Sequence, residues 1–247
     1  MVYYEAMHGT GIWSHWGWPL ATALITTLCA ALLIRQFVLR HRAHQLSWAV
    51  GFVLYAAGAF LEAWSEYTGA WDSIVYRFYI VIAASLVGFL GLGVVYLIAR
   101  RRIWGHLFLG YTLAVMALFL VGAFLRPLDT STLVAGITVG GKALGPATSF
   151  PRILSLFLNI PGSLLLLGGA VLSIVRFSRK PQYSYRVWAN VLIFLGTVVI
   201  AAAGSLARGG QTAGLYTAEM VGAALLLWGF LRASTLEKGA TAKPGSP

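Results

Sequence analysis

Four residues whose side chains could do chemistry lie inside long apolar stretches of the sequence: the ionisable Glu62, Arg77 and Glu219, and the amide Asn159. A charged group inside a membrane is costly to desolvate, so such residues commonly mark a substrate site, an ion or proton path, or a structural pair. A carboxylate accepts hydrogen bonds and attracts cations, a guanidinium donates to anions, and an amide does both. Together these residue types predict a polar binding site.

Tyrosines recur at helical spacing around these positions. Tyr76 and Tyr79 flank Arg77, and Tyr216 precedes Glu219 by three residues, so the last two would share one helical face. Counted by helical rise, the polar positions fall at similar depths in four different apolar stretches. The predicted ligand-binding site therefore comprises Glu62, Arg77, Tyr79, Asn159, Tyr216 and Glu219.

Two structural interpretations compete with a ligand site. In the first, Arg77 pairs with Glu62 or Glu219 and locks helices together. In the second, Glu62 and Arg77 both extend to the membrane interface. Two carboxylates against one arginine would leave an excess negative charge if all three met.

Pro161 and Gly162 follow Asn159 closely and predict a break or kink in their helix. Proline removes one backbone hydrogen bond, and glycine loosens the turn. A carbonyl group freed in this way could serve a ligand.

The elements that must position these residues are apolar helices. Hydrophobic residues form 59% of the chain and charged residues 10%, against roughly 25% charged residues in soluble domains. A helix needs about 20 apolar residues to cross a bilayer. The predicted fold class is therefore all-α, a single seven-helix transmembrane bundle over residues 1–234. Its spans are expected at about 18–38, 46–66, 74–98, 105–125, 152–176, 186–206 and 213–232.

Basic residues set the predicted orientation. Arg40 and Arg42 follow the first span and residues 100–102 are three arginines after the third, whereas Asp72 and Asp129 lie in the opposite loops. Lys and Arg collect on the cytoplasmic side, so the N-terminus is predicted outside and the C-terminus inside a cell membrane, plasma or inner. This asymmetry accounts for the net charge of +11 without nucleic acid, and it makes membrane lipids the expected surroundings.

Two segments fall outside the spans. Residues 127–150 form a long outer loop rich in glycine, which is either a lid over the outer face or a mobile connector. Residues 235–247 are rich in Gly, Ala, Lys and Pro and are predicted to be a disordered cytoplasmic tail.

A shift of 140 positions aligns the first three spans with the last three without a gap. At this shift several aligned positions carry the same residue type, and Tyr79 is aligned with Glu219. The pattern predicts two parallel repeats of three helices with the fourth span as a linker, a design typical of transporters. The competing interpretation is chance similarity between helices of like composition. Matching pairs include Trp48 with Trp188, Ser65 with Ser205, Tyr76 with Tyr216 and Leu86 with Leu226.

Several chemistries lack the residues they need. Every lysine lies in a loop or the tail, which argues against a retinal pigment. The histidines lie at span boundaries or in loops, which argues against haem. The single cysteine, Cys29, forms no internal disulfide. No catalytic set is visible, so the chain is not expected to be an enzyme. No metal site is predicted, and the sequence specifies no cofactor.

Two hypotheses from different classes remain. The first is a transporter or receptor that binds a small molecule or lipid in an outward-facing polar pocket. The second is a non-catalytic structural subunit of a larger membrane complex, with membrane proteins as partners and an apolar cofactor or lipid between its helices.

Overall fold

The structure is a computed structural model that describes residues 16–134, 141–146, 148–179, 184–208 and 214–241. The described residues form seven long α-helices and no strand, so the all-α prediction is confirmed. All seven are long and apolar enough to cross a membrane, and the chain is compatible with a multi-pass membrane protein. The helices are α1 (Gly17–Arg40), α2 (Ala43–Thr68), α3 (Ser73–Ile98), α4 (Arg102–Leu125), α5 (Leu154–Ser178), α6 (Ser184–Arg208) and α7 (Leu215–Thr241).

The helices begin and end close to the predicted spans, with small extensions at polar flanks. Asp72 caps α3 by accepting hydrogen bonds from the amides of Ile74 and Val75, and Gly69 ends α2 with a positive φ of 80°. The last helix, α7, runs on to Thr241, into the segment predicted to be a disordered tail. Its extension contains Leu, Glu, Lys and Ala, which are strong helix formers. Residues 242–247 lie outside the described residues.

Six of the helices form a closed ring. Each helix contacts the next in the order α1, α2, α3, α5, α6 and α7, and α7 contacts α1 to close the ring. The fourth helix, α4, packs outside this ring against α3 and α5. Any space enclosed by the ring is therefore bordered by the first three and last three helices.

Small residues bring the helices of the ring close together. Gly91 of α3 faces Gly162 of α5, and a Cβ built on Gly91 would lie 2.7 Å from the Gly162 Cα. A Cβ on Gly162 would collide with the Val87 carbonyl oxygen. These two glycines therefore permit the close contact of α3 and α5.

The helix α5 continues through Pro161 without a break in its assigned range. Proline cannot donate to the carbonyl four residues earlier, which belongs to Phe157. That carbonyl accepts a hydrogen bond of 2.6 Å from the Tyr111 hydroxyl of α4. The sequence predicted that this carbonyl would be free for a ligand. In the structure it accepts from Tyr111 instead, and this bond joins α4 to the ring.

The connection between α4 and α5 packs on the α2–α3 turn where it is described. The Trp71 amide donates to the Leu133 carbonyl at 3.1 Å, and Ala143 and Leu144 are buried. The Asp129 amide donates to the Ala143 carbonyl at 2.9 Å and ties the two ends of the loop together. The end of the bundle that carries this connection is called the loop face, and the opposite end, with the 41–42 and 99–101 turns, the arginine face.

Substitution of Gly162 tests the close contact of α3 and α5. Gly162→Ala should lower the free energy of unfolding by about 1–3 kcal/mol, because overpacking forces the two helices apart. Gly168→Ala, on the same helix, is the matched control, since its Cβ would meet open space. Thermal unfolding of the purified proteins in detergent measures both, and equal midpoints would contradict the contact.

Cysteine labelling tests the predicted orientation. The exposed Thr130 and Arg101 lie at the loop face and the arginine face, and the native Cys29 is buried. We expect a membrane-impermeant maleimide to label Thr130→Cys on intact cells and to label Arg101→Cys only after permeabilisation. The reverse pattern would overturn the N-terminus-outside topology.

Candidate functional site

A cavity of about 420 Å³ lies inside the ring towards the loop face, and we call it the carboxylate cavity. Five helices contribute to its wall: α2, α3, α5, α6 and α7. Most of the wall is apolar, which is typical of small-molecule sites with a few polar groups for orientation. The polar groups of the wall include Tyr55, Glu62, Tyr79, Asn159, Thr197 and Glu219.

Glu62 is a buried carboxylate residue in the wall of this cavity. Its side chain is only 4% exposed, and its Oε1 accepts a hydrogen bond of 2.5 Å from the Tyr79 hydroxyl. Glu62 lies on α2 and Tyr79 on α3, so the bond joins neighbouring helices of the ring. A carboxylate this deeply buried requires such a donor, because an unpaired charge in an apolar interior is very costly.

Glu219 reaches the same cavity from α7. Its carboxyl group lies within hydrogen-bonding reach of the Glu62 carboxyl group. Two carboxyl groups can share a hydrogen bond only when one of them carries a proton. The Glu219 Oε2 atom is buried, and no donor among the described residues reaches it. Glu219 thus brings to the cavity wall a carboxyl group of which one oxygen is buried without a donor.

The backbone of Glu219 is also held in place. The Tyr55 hydroxyl of α2 donates to the Glu219 carbonyl oxygen at 3.2 Å. Tyr55 and Glu62 lie on one face of α2, at the spacing of two helical turns. The α2–α7 contact thus fixes the helix that presents the Glu219 carboxyl group.

A second acid–tyrosine pair lies beside the first. The Tyr216 hydroxyl of α7 donates to Glu66 Oε1 at 2.7 Å. Tyr216 is one of the predicted site residues, but it does not line the carboxylate cavity. Glu66 was missed by sequence analysis, although its i,i+4 spacing from Glu62 places both carboxylates on one face of α2.

Arg77 lies away from the two carboxyl groups. Its Nη1 donates to the carbonyls of Ala123 and Arg126 at the end of α4, and the guanidinium lies 5.7 Å from the centre of the Phe124 ring. No ion pair joins Arg77 to Glu62 or Glu219 among the described residues. The arginine satisfies carbonyls that the end of α4 leaves without helical partners.

Asn159 lines the cavity from α5, next to other polar residues of the same helix. Ser155 and Ser163 lie one turn to either side of it and also line the wall. Sequence analysis missed these serines, although the spacing of four residues gives a polar stripe on one helical face. Thr197 of α6 also lines the cavity, and its hydroxyl donates to the Ile193 carbonyl at 2.8 Å.

A second cavity of about 520 Å³ lies towards the arginine face, and we call it the basic cavity. It shares with the carboxylate cavity a wall of four residues, Leu90, Leu166, Thr197 and Leu226. The ring thus encloses two chambers, one at each end, with a thin and mainly apolar partition between them.

Comparisons of the chain with protein-family models, with curated proteins and with solved structures give no match. Clusters of three or more metal-ligating side chains are absent from the described part of the chain. The interpretation of function therefore depends on the geometry of the two cavities.

Two tyrosine substitutions test how strongly burial matters. Tyr79→Phe removes the donor to buried Glu62 and should lower the free energy of unfolding by about 1–3 kcal/mol. Tyr216→Phe removes a matching bond from Glu66, which is only partly buried and can turn to solvent, so a smaller loss is expected. Thermal unfolding of both variants measures the difference. Equal losses would mean that burial of the acceptor does not set the cost.

Proposed function

We propose that this chain is a membrane transporter that binds a small solute bearing a cationic amine in the carboxylate cavity. The observation that carries the proposal is the Glu62–Glu219 pair, with a buried Glu219 oxygen that no donor reaches among the described residues. An ammonium group donates hydrogen bonds and carries the charge that two carboxylates attract.

The lining of the cavity favours a cation over an anion. Its described lining residues include two carboxyl groups and no lysine, arginine or histidine. Arg77, which was predicted to neutralise the carboxyl groups, instead donates to a carbonyl at the end of α4. A bound ammonium group would replace the proton that the carboxyl pair otherwise needs, and each new bond would be charge-assisted.

The remaining wall indicates the shape of the solute. The volume of about 420 Å³ lies within the range of small-molecule sites. Gly58, Ala59, Ala83 and Ala84 make one side of the cavity smooth and apolar. Asn159 and the α5 serines offer hydrogen bonds on another side. A compact amine with an apolar body and one further polar group matches this arrangement.

Transport is favoured over simple binding by the architecture of the ring. Two parallel three-helix repeats would place α3 beside α5 and, equivalently, α7 beside α1, and both contacts exist. Tyr79 and Glu219, which coincide in the sequence shift, both line the carboxylate cavity, as do Leu86 and Leu226. A substrate site between two such repeats, with chambers towards both membrane faces, suits alternating access. On the predicted orientation the carboxylate cavity faces outward.

Ligand binding to matched variants tests the proposal. Purified protein is screened by thermal shift against small primary and quaternary amines and against alcohols of the same shape. We expect an amine, and not its alcohol, to stabilise the wild type, with binding at least about tenfold weaker in Glu219→Gln, since a hydrogen bond to a charged group is lost. Asp72→Asn is the control, because it removes a charge from the same face and keeps a capping residue.

Two further results would contradict the proposal. Equal amine binding by Glu219→Gln and wild type would remove the carboxylate cavity as the site. Binding without amine-driven uptake into proteoliposomes would leave a receptor and overturn transport. Native mass spectrometry of protein from the source membrane distinguishes the proposal from the structural-subunit hypothesis. A stoichiometric protein partner with no small ligand would favour the structural subunit.

A further inference from the structure

The basic cavity has a chemistry of its own. Four arginines from three separate regions of the chain line it: Arg40 and Arg42 where α1 meets α2, Arg176 near the end of α5, and Arg186 near the start of α6. No aspartate or glutamate is among its described lining residues. Convergence of guanidinium groups on one concave space is the usual arrangement for binding a phosphate group.

Other polar residues, Gln45 and Asn190, also line this cavity. Gln45 is 3% exposed, and its buried Oε1 has no donor among the described residues. The Asn190 amide nitrogen donates to the Arg186 carbonyl at 2.7 Å, and the Arg186 guanidinium lies 5.4 Å from the centre of the Phe177 ring. The Phe177 ring thus makes a cation–π contact with the Arg186 guanidinium.

The rest of the wall is hydrocarbon. Phe52, Val94, Leu97, Leu172 and Phe230 also line the cavity. A space of about 520 Å³ with a basic rim and an apolar interior matches a molecule that carries a phosphate at one end and an alkyl chain at the other. A small inorganic anion would leave the apolar wall uncovered.

We propose that the basic cavity binds a phosphate-bearing amphiphile, with the phosphate on Arg42, Arg176 and Arg186 and the hydrocarbon chain along the apolar wall. Basic pockets between membrane helices suit anionic headgroups, and a membrane lipid is the source that this amphipathic wall favours. The inference depends on the arginines and not on the carboxylate cavity, so either proposal can fail alone.

Native mass spectrometry of the purified full chain with added lipids tests the inference. We expect one phosphatidylglycerol to be retained in preference to phosphatidylcholine, because the headgroup charge is recognised. In Arg42→Gln/Arg176→Gln the retained fraction should correspond to binding at least about tenfold weaker, since two arginines near a headgroup are removed. Both arginines are exposed, so the fold should survive, and thermal unfolding checks this.

Arg101→Gln/Arg102→Gln is the matched control. It removes two exposed arginines from the same face that do not line the cavity, and it should retain the lipid as the wild type does. Equal loss in both double variants would mean general attraction to the arginine face and would overturn the site. Equal retention of phosphatidylcholine would overturn recognition of charge.

Inorganic phosphate and a short-chain alkyl phosphate separate the two sources of the ligand. If the alkyl phosphate raises the unfolding midpoint in an Arg176-dependent way and phosphatidylglycerol is not retained, the amphiphile is a soluble solute and the lipid source is wrong. If inorganic phosphate alone reproduces the full shift, the apolar wall contributes nothing and the amphiphile proposal fails.

Discussion

Polar groups inside an apolar bundle need partners, and the contacts between helices follow from that constraint. Tyr79 donates to Glu62 between α3 and α2, and Tyr55 donates to the Glu219 carbonyl between α2 and α7. Tyr111 donates to the carbonyl that Pro161 frees, and so holds α4 on α5. Aromatic hydroxyls suit this purpose because the ring packs among apolar side chains while the oxygen bonds. This pairing is incomplete at the Glu219 carboxyl group, where the buried Oε2 atom has no donor among the described residues.

Close packing of the ring complements these hydrogen bonds. Helices in a membrane gain little from the hydrophobic effect, so association depends on close contact and on polar pairs. Gly91 and Gly162 allow the α3 and α5 backbones to meet, and α3 is the most buried of the seven spans. The glycines lie beside the partition at Leu90 and Leu166 that separates the two cavities.

The sequence predicted the helices well because membrane spans depend on local composition. Hydrophobic length alone located each helix to within a few residues, and only the end of α7 extended far beyond its prediction. The site was harder, because it depends on the direction of each side chain around its helix. Glu62, Tyr79, Asn159 and Glu219 do line one cavity, whereas Arg77 turns to the end of α4. Arg77 bonds to carbonyls instead of carboxylates because the end of α4 lies beside it. The position of that helix end cannot be predicted from a local sequence pattern.

Opposite charges in the two cavities constrain how they could act together. A cation that leaves the carboxylate cavity through the partition meets four arginines and therefore a like-charge repulsion. An anion resident on those arginines would offset most of it. A phosphate in the basic cavity would therefore lower the barrier for an amine to cross the partition at Leu90 and Leu226. The two proposals have separate evidence, but electrostatics would couple them: if both hold, an anion in the basic cavity favours the passage of an amine through the partition.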